Sequence, residues 1–522
     1  MDKKRILTVP QMIFCERKSN EMGITLSQLM DSAGEKLAGH ILRICREKMT
    51  KNVVILVGKG NNGGDGLVAA NILHDSGVIP TIALCCGTPS TDLSKAAFER
   101  LHRDIPVEVF ENAQEDFSLI NRADILVDCI FGTGFKGQIR DNMFPMFKAA
   151  ENSDSYVIAC DIPSGANAQS GEISEGTISA DLTVTFHSRK LGMVLSPAKY
   201  QCGKIVTEDI GIPDSVFDCG ENLMKNYIGD NGNSDFFRSL LPSRPPWGHK
   251  GTFGKIISVC GSESYIGAAG ISALAAMRTG AGLVDLCTPK AVISALSTRL
   301  LECTYSHMKT DGNGFMTSEN VPDILKKLET ADCLLLGCGL GHTSETERLV
   351  SELIENSPCP VILDADGINS VCPNINVLLK KKSTVILTPH PAELARLCGV
   401  STKEVLSDRH KYASSLAQKY GVTVVSKGAE TLVCSGNVTG IISAGNTALS
   451  KGGSGDMLAG IIASFTAQDP LNAMGNAMLG CYVMGKTAEM LSSDKSERGI
   501  LASDIINALP VYLKSLENNQ QE

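Results

Sequence analysis

Short apolar runs rich in Val, Ile and Leu recur along this chain, and each runs straight into a loop of Gly, Asp, Asn or Ser. VVILV, starting at Val53, leads into GKGNNGGDG and then the helical stretch LVAANILHDSG. ADILVDCI leads into FGTGFKG, and YVIAC into DIPSG. Apolar runs of about four to eight residues that alternate with helical patterns describe strands buried on both faces. Such strands suit a sheet covered by helices on each side, and with helical stretches between them they point to an α/β architecture with parallel sheets.

The alternation occurs twice. Between about Asp214 and Lys250 the sequence turns polar and Pro-rich and holds the single tryptophan, Trp247, which places a linker there. After it, GKIISVC, a Ser/Gly loop and the small-residue helix ISALAAM restart the pattern, followed by DCLLLGCGLG, VILDADGIN, VILTPHPAEL and VTVVSKGAETLV. A chain of 522 residues exceeds what one core usually serves. Two domains are expected, residues 1–225 and 226–518. Met1 to about Thr50 reads as helix at apolar spacing, with a packing role.

Ligands of open parallel sheets bind beyond the carboxyl ends of the strands. In the first half that edge gathers Asn62, Asp65, Asp128, Gly132, Asp161 and Ser164 into one expected cleft. The oxygen-rich set Asn62, Asp128 and Ser164 suits a hard cation better than zinc, which prefers nitrogen and sulfur. For each acid taken alone, a turn or cap is an equal alternative. Gly58, Gly60 and Gly63 satisfy GxGxxG, but the next strand, IPTIALCCG, ends without the acid a dinucleotide ribose requires.

In the second half the focus is GNTALSKGGSGDMLAG, from Gly445 to Gly460. Gly452, Gly453 and Gly455 allow backbone N–H groups to converge on phosphate oxygens, and the following helix adds its dipole. Asp456, placed there, is a poor phosphate ligand and a good proton acceptor for a hydroxyl. The alternative is a plain turn with Asp456 as helix cap. His390, between Pro389 and Pro391, stands at a strand end as a substrate contact or a structural histidine. Lys427 with Gly428 reads as a phosphate contact or a surface turn, and Glu393 as an indirect aid to Mg²⁺.

A net charge of −9 argues against a nucleic-acid footprint over the whole chain. The 18 cysteines include no CxxC pair and sit in apolar strands, as reduced buried thiols do. No apolar run reaches membrane-spanning length, and the N-terminus lacks a signal peptide's apolar core, so a cytoplasmic protein with no membrane partner is expected.

Roughly residues 231–514 resemble the ribokinase-like fold, and GNTALSKGGSGDMLAG, TPHPAEL, LDADGIN and GCGLG resemble the ADP/ATP-dependent NAD(P)H-hydrate dehydratases. The first half, with GNNGGDG, DCIFGTGFKG and DIPSG, resembles the NAD(P)H-hydrate epimerases, a Rossmann-like three-layer fold. Both in one chain resemble the bacterial bifunctional NAD(P)H-hydrate repair enzymes. The resemblance implies epimerisation of R and S hydrates and dehydration of the S form with ADP, giving NAD(P)H, AMP and phosphate. It implies hydrate binding at Asn61, Asn62, Gly63, Gly64 and Asp65, at the loop Gly132, Thr133, Gly134, Phe135, Lys136, Gly137 and Gln138, and at Asp161, with Asp161 catalytic. Potassium falls to Asn62, Asp128 and Ser164. In the second half it implies hydrate contacts at Ala268, Gly339 or Gly341, His390 and the catalytic Asp456, and ADP contacts at Lys427, Gly428, Ala429, Glu430, Thr431 and Gly455, with Mg²⁺. A homo-oligomer acting on small molecules alone is expected. Thr447, Ala448 and Leu449 replace the family's Pro-Gly-Met, and Lys59 its usual Pro. A vitamin-precursor or sugar kinase remains the rival for the second half, and a non-catalytic binding module for the first.

Overall fold

The computed structural model describes residues 5–110, 117–218, 227–230 (backbone only) and 234–518. The chain divides into two compact units, Met1–Tyr227 and Ile228–Glu522.

The first unit is built on a seven-stranded sheet in the order Val107–Val109, Thr81–Leu84, Val53–Val57, Ile125–Cys129, Tyr156–Cys160, Leu182–Phe186, Lys204–Glu208. Every pairing is parallel. The chain starts in the middle at Val53–Val57, travels to one edge, then returns to the other side of that first strand at Ile125–Cys129. The loops after these two strands therefore diverge, which opens a crevice. They meet at its root, where a Cβ on Gly58 would lie 1.8 Å from the carbonyl oxygen of Ile130. No residue larger than glycine fits there without moving backbone.

Helix Leu26–Lys48 opens on a capping box, in which Thr25 N–H donates to Gln28 Oε1 at 2.8 Å and Gln28 N–H to Thr25 Oγ1 at 3.2 Å. Its apolar face packs on helix Asn61–Asp75. The N-terminal segment departs from an all-helical reading, since Arg5–Leu7 is a short strand paired in parallel with Arg189–Lys190, ahead of helix Val9–Glu21. The glycine stretch NNGGDG is not a loop either: it forms the first turns of helix Asn61–Asp75. The glycines serve close packing, with a Cβ on Gly63 falling 2.1 Å from Gly58 O and one on Gly64 2.6 Å from Met30 Cε.

In the second unit the sheet runs Thr304–Met308, Leu283–Pro289, Lys255–Val259, Cys333–Leu336, Val361–Leu363, Val385–Leu387, Thr423–Ser426, Thr431–Ser435, Val438–Ile442. The first seven are parallel and the last two antiparallel. Helix Ser454–Gln468 is buried all round from Met457 to Ala467, as a helix without a polar face must be. It approaches helix Ile266–Arg278 closely enough that a Cβ on Gly460 would lie 2.2 Å from Ser272 O, so the small residues of both helices are a packing requirement. Among the described residues no helix is long and apolar enough to cross a membrane.

Candidate active sites

In the first unit a cavity of about 170 Å³ opens at the crevice, lined among others by Met12, Glu16, Asn61, Asn62, Asp65, Gly132, Thr133, Asp161 and Lys190. Asp161 follows strand Tyr156–Cys160 in a left-handed conformation, φ 65°, a strained setting for a residue with a side chain. That turn aims its carboxylate at the Lys190 ammonium, with which it forms a short ion pair. Thr185 Oγ1 donates to the same carboxylate oxygen at 3.0 Å. Lys190 is 1% exposed and also donates to Thr185 Oγ1 at 2.8 Å and to Phe186 O at 3.1 Å.

Two further carboxyl groups share this cavity. Burial, reinforced by the charges of Asp161 and Glu16, pushes Asp65 well above the usual carboxylate range. Glu16 is raised by burial, against the pull of Lys190. Three acids and one buried ammonium thus face one small space, and the charge balance favours keeping a proton on Asp65.

Asn61 accepts from Thr91 Oγ1 at 2.6 Å. Gly134 to Gln138 continue outward from the cavity lining, with Phe135 stacked on Phe131 at 5.0 Å and Gln138 Oε1 accepting from Ser174 Oγ at 3.0 Å.

The three residues expected at a cation come together. Asp128, fully buried, accepts Ser164 Oγ–H at 2.6 Å, Ser164 N–H at 2.7 Å and Ile130 N–H at 3.2 Å, while Asn62 Nδ2 donates to Phe131 O at 3.0 Å. Burial raises Asp128 to about 6, and among the described residues no cationic side chain pairs with it. A buried carboxylate without a counter-charge, beside a carbonyl and an amide, fits a hard monovalent cation.

In the second unit Asp456 stands in the first turn of helix Ser454–Gln468, whose N-cap is Gly453 at φ 90°. The capping alternative for Asp456 is not realised. Of the three loop glycines only Gly453 is left-handed; Gly455 lies within the helix, where a Cβ would come 3.3 Å from Lys427 Nζ. Asp456 is raised to about 6 by burial and then by the neighbouring Asp364, with Cys338 and Lys427 pulling the other way.

Asp364 is the hub. Its carboxylate, 1% exposed, accepts Thr388 Oγ–H at 2.6 Å and Lys427 Nζ at 3.0 Å, and meets the Cys338 thiol at 3.7 Å. Donor atoms of Cys338, Asp364 and Asp456 all lie within 4.8 Å of one another. Lys427 also faces Glu393 at 3.9 Å; burial alone would lower its ammonium, but the two carboxylates outweigh it and hold the lysine above its usual value. Burial lifts Glu393 to about 7.

His390 caps helix Pro391–Cys398, its Nδ1 accepting from Ala392 N–H at 3.1 Å, and Nε2 lies 3.3 Å from Glu393 Oε1. Burial and Lys427 lower its pKa, which keeps the ring neutral for that cap. Residues 427–430 turn between antiparallel strands Thr423–Ser426 and Thr431–Ser435. Arg409 holds the turn from behind, donating to Lys427 O at 3.2 Å and Glu430 O at 2.8 Å, which leaves Gly428 and Ala429 exposed. Ala268 packs on Gly339, and Gly341 N–H donates to Asp366 Oδ2 at 2.8 Å.

Sequence reasoning did not single out Glu16, Lys190, Cys338 or Asp364 as site residues. Lys190 carried a signal, as the second of the basic pair Arg189 and Lys190 abutting the apolar LGMVL, and Asp364 belonged to LDADGIN at a strand end. Glu16 carried none, because the helix that bears it reads as packing.

Two family models match the chain, one described as YjeF-related protein N-terminus over residues 26–192 and one described as NAD(P)H-hydrate dehydratase over residues 256–511. The bifunctional NAD(P)H-hydrate repair enzyme of Moorella thermoacetica is 32% identical, over 96% of this chain and 94% of its own. That of Escherichia coli is 31% identical, over 97% and 95%. Among solved structures, the ADP/ATP-dependent NAD(P)H-hydrate dehydratase of Bacillus subtilis, co-crystallised with ATP and Mg²⁺, is 31% identical and covers 55% of this chain and 98% of its own, at a TM-score of 0.45.

Proposed function

The chain belongs to the family of bifunctional NAD(P)H-hydrate repair enzymes, and from that premise we propose a division of labour between its two pockets. The unit at residues 1–225 interconverts the R and S hydrates of NADH and NADPH, and the unit at 226–518 dehydrates the S hydrate at the expense of ADP. The observation that carries this reading is the pairing of each family match with a lysine–carboxylate cluster at a strand-end crevice.

In the second unit Asp456 takes the proton of the hydrate hydroxyl. Its pKa of about 6 leaves it ionised near neutrality yet far more basic than an ordinary aspartate. The freed oxygen attacks the terminal phosphate of ADP, the bond to the AMP oxygen breaks, and the new phosphate ester supplies a leaving group that hydroxide is not. The ring nitrogen then pushes phosphate out as the adjacent carbon gives up a proton, restoring the dihydropyridine. Lys427, beside Gly455 and the N-terminal N–H groups of helix Ser454–Gln468, meets the phosphates. Asp364 orients Lys427, and the turn at Lys427, Gly428, Ala429, Glu430 and Thr431 holds the nucleotide. Ala268, Gly339 or Gly341, and His390 contact the hydrate. Asp364 and Glu393 offer the oxygen ligands Mg²⁺ takes, and the ion when bound neutralises phosphate charge.

In the first unit Asp161, paired with Lys190, accepts the hydroxyl proton of the carbinolamine while protonated Asp65 gives one to the ring nitrogen, so that the C–N bond opens to an aldehyde and re-forms on its other face as the two protons return. Asn61, Asn62, Gly63 and Gly64, with the Gly132–Gln138 loop, form the walls, and Asn62, Asp128 and Ser164 would hold K⁺, which would brace the loops at the crevice root. The test is to give the purified protein hydrated NADH, ADP, Mg²⁺ and K⁺ and follow recovery of dihydronicotinamide absorbance. A stable phosphorylated product without that recovery would instead indicate a kinase.

A further inference from the structure

His74, Asp75, His102 and Asp104 neither line the first-unit cavity nor take part in the cluster around Asp364. At the C-terminal end of helix Asn61–Asp75, His74 is held between two carboxylates: Nε2 lies 2.8 Å from Asp104 Oδ2 and Nδ1 3.3 Å from Asp75 Oδ1. His102, from the loop beyond helix Asp92–Glu99, reaches the same Asp75 oxygen at 3.1 Å. The two imidazoles stack with centroids 4.2 Å apart and planes 22° from parallel.

We propose that His74, His102 and Asp104, with Asp75 beside them, form a binding site for a divalent transition-metal ion of the zinc class. Donor atoms of the first three all lie within 4.8 Å of one another. Tetrahedral zinc, with bonds near 2.1 Å, sets its ligand atoms about 3.4 Å apart, so these partly exposed side chains close on the ion by moving roughly 1 Å. Two imidazoles with carboxylates select zinc, nickel or copper over Mg²⁺, Ca²⁺ or K⁺, which take oxygen. His74 meets a carboxylate on each ring nitrogen, and a divalent ion would bring positive charge to both of them.

The backbone beneath is already in register. His102 N–H donates to Asn71 Oδ1 at 3.0 Å, Asn71 Nδ2 to Arg100 O at 3.1 Å, and Gly77 N–H to His74 O at 2.9 Å. Bound metal therefore ties the far end of the helix whose first turns carry Asn61, Asn62 and Asp65 to the loop at 102–104, and braces the element that forms one wall of the cavity.

The test uses the untagged full-length protein and ZnCl₂ followed by calorimetry. One zinc per chain is expected at this site, with affinity falling roughly tenfold or more in both His74→Gln and His102→Gln. His342→Gln removes another exposed histidine paired with a carboxylate, Glu347 at 2.9 Å, and should change nothing. Should His74→Gln fold poorly, His102→Gln, on the more exposed ring, carries the comparison. Crystals soaked in zinc should give an anomalous peak at the ring edges of His74 and His102, in line with a nitrogen of each and beside Asp104. Unchanged affinity in His102→Gln, or zinc density only elsewhere, overturns the proposal.

Discussion

Each unit sets one lysine among three carboxyl groups, yet the two clusters differ in what the lysine can reach. Lys190, 1% exposed, is spent on Asp161, Thr185 and Phe186 O, so it fixes charge on its neighbours and cannot reach out to a phosphate. Lys427 is 21% exposed, bound to Asp364 with Glu393 more distant, and sits beside a glycine in a helix first turn. The first arrangement suits proton transfer, and the second suits an anion. The same residue types yield different chemistry because one ammonium is sealed behind side-chain and carbonyl acceptors and the other borders a helix N-terminus.

The largest effect that bears on this contrast is expected at Asp456. Asp456→Asn should lower the rate of ADP-dependent dehydration by about two to four orders of magnitude, measured as absorbance recovery from S hydrate, and leave epimerisation intact. Next comes the lysine pair. Lys190→Met leaves the Asp161 charge without its ion-pair partner and should cost roughly 3 kcal/mol of stability by denaturant unfolding, together with epimerase activity. Lys427→Met should instead raise the KM for ADP roughly ten- to hundredfold, the loss of a hydrogen bond to a charged group, and it too costs stability because it leaves the buried Asp364 without its ion-pair partner. If Lys190→Met raises that KM as well, the contrast between the sites is broken.

The pH profile sharpens it further. A general base is active only when ionised, so dehydration should rise with pH through about 6 and level above. Asp364→Asn removes a like charge beside Asp456 and should move that midpoint downward. The smallest effect concerns potassium: Asn62→Ala should abolish K⁺ stimulation of epimerisation while ADP-dependent dehydration of S hydrate stays unchanged.

The alternation of apolar runs with glycine loops was enough to read two α/β folds built on parallel strands, but it did not reveal that Thr431–Ser435 and Val438–Ile442 run antiparallel in the second. Asp456 and Asp161 were legible because each follows a strand or opens a helix within a distinctive local pattern. Lys190, Glu16 and Asp364 were not singled out, because their importance lies in partners far away in sequence: 29 residues separate Lys190 from Asp161, and 63 separate Lys427 from Asp364. The stretch NNGGDG misled in another way. Glycine usually ends a helix, but here Gly63 and Gly64 are required inside one, because the helix presses against Gly58 and Met30. Close packing between elements overrode local propensity.

The claim that two chemically different lysine–carboxylate sites act in sequence is tested most directly by resolving the R and S hydrates chromatographically during turnover with ADP, Mg²⁺ and K⁺. The wild-type chain should consume both epimers, Asp161→Asn should consume S and leave R, and Asp456→Asn should equilibrate the two while consuming neither. Consumption of R by Asp161→Asn at the wild-type rate, or recovery of NADH by Asp456→Asn at that rate, would contradict the account.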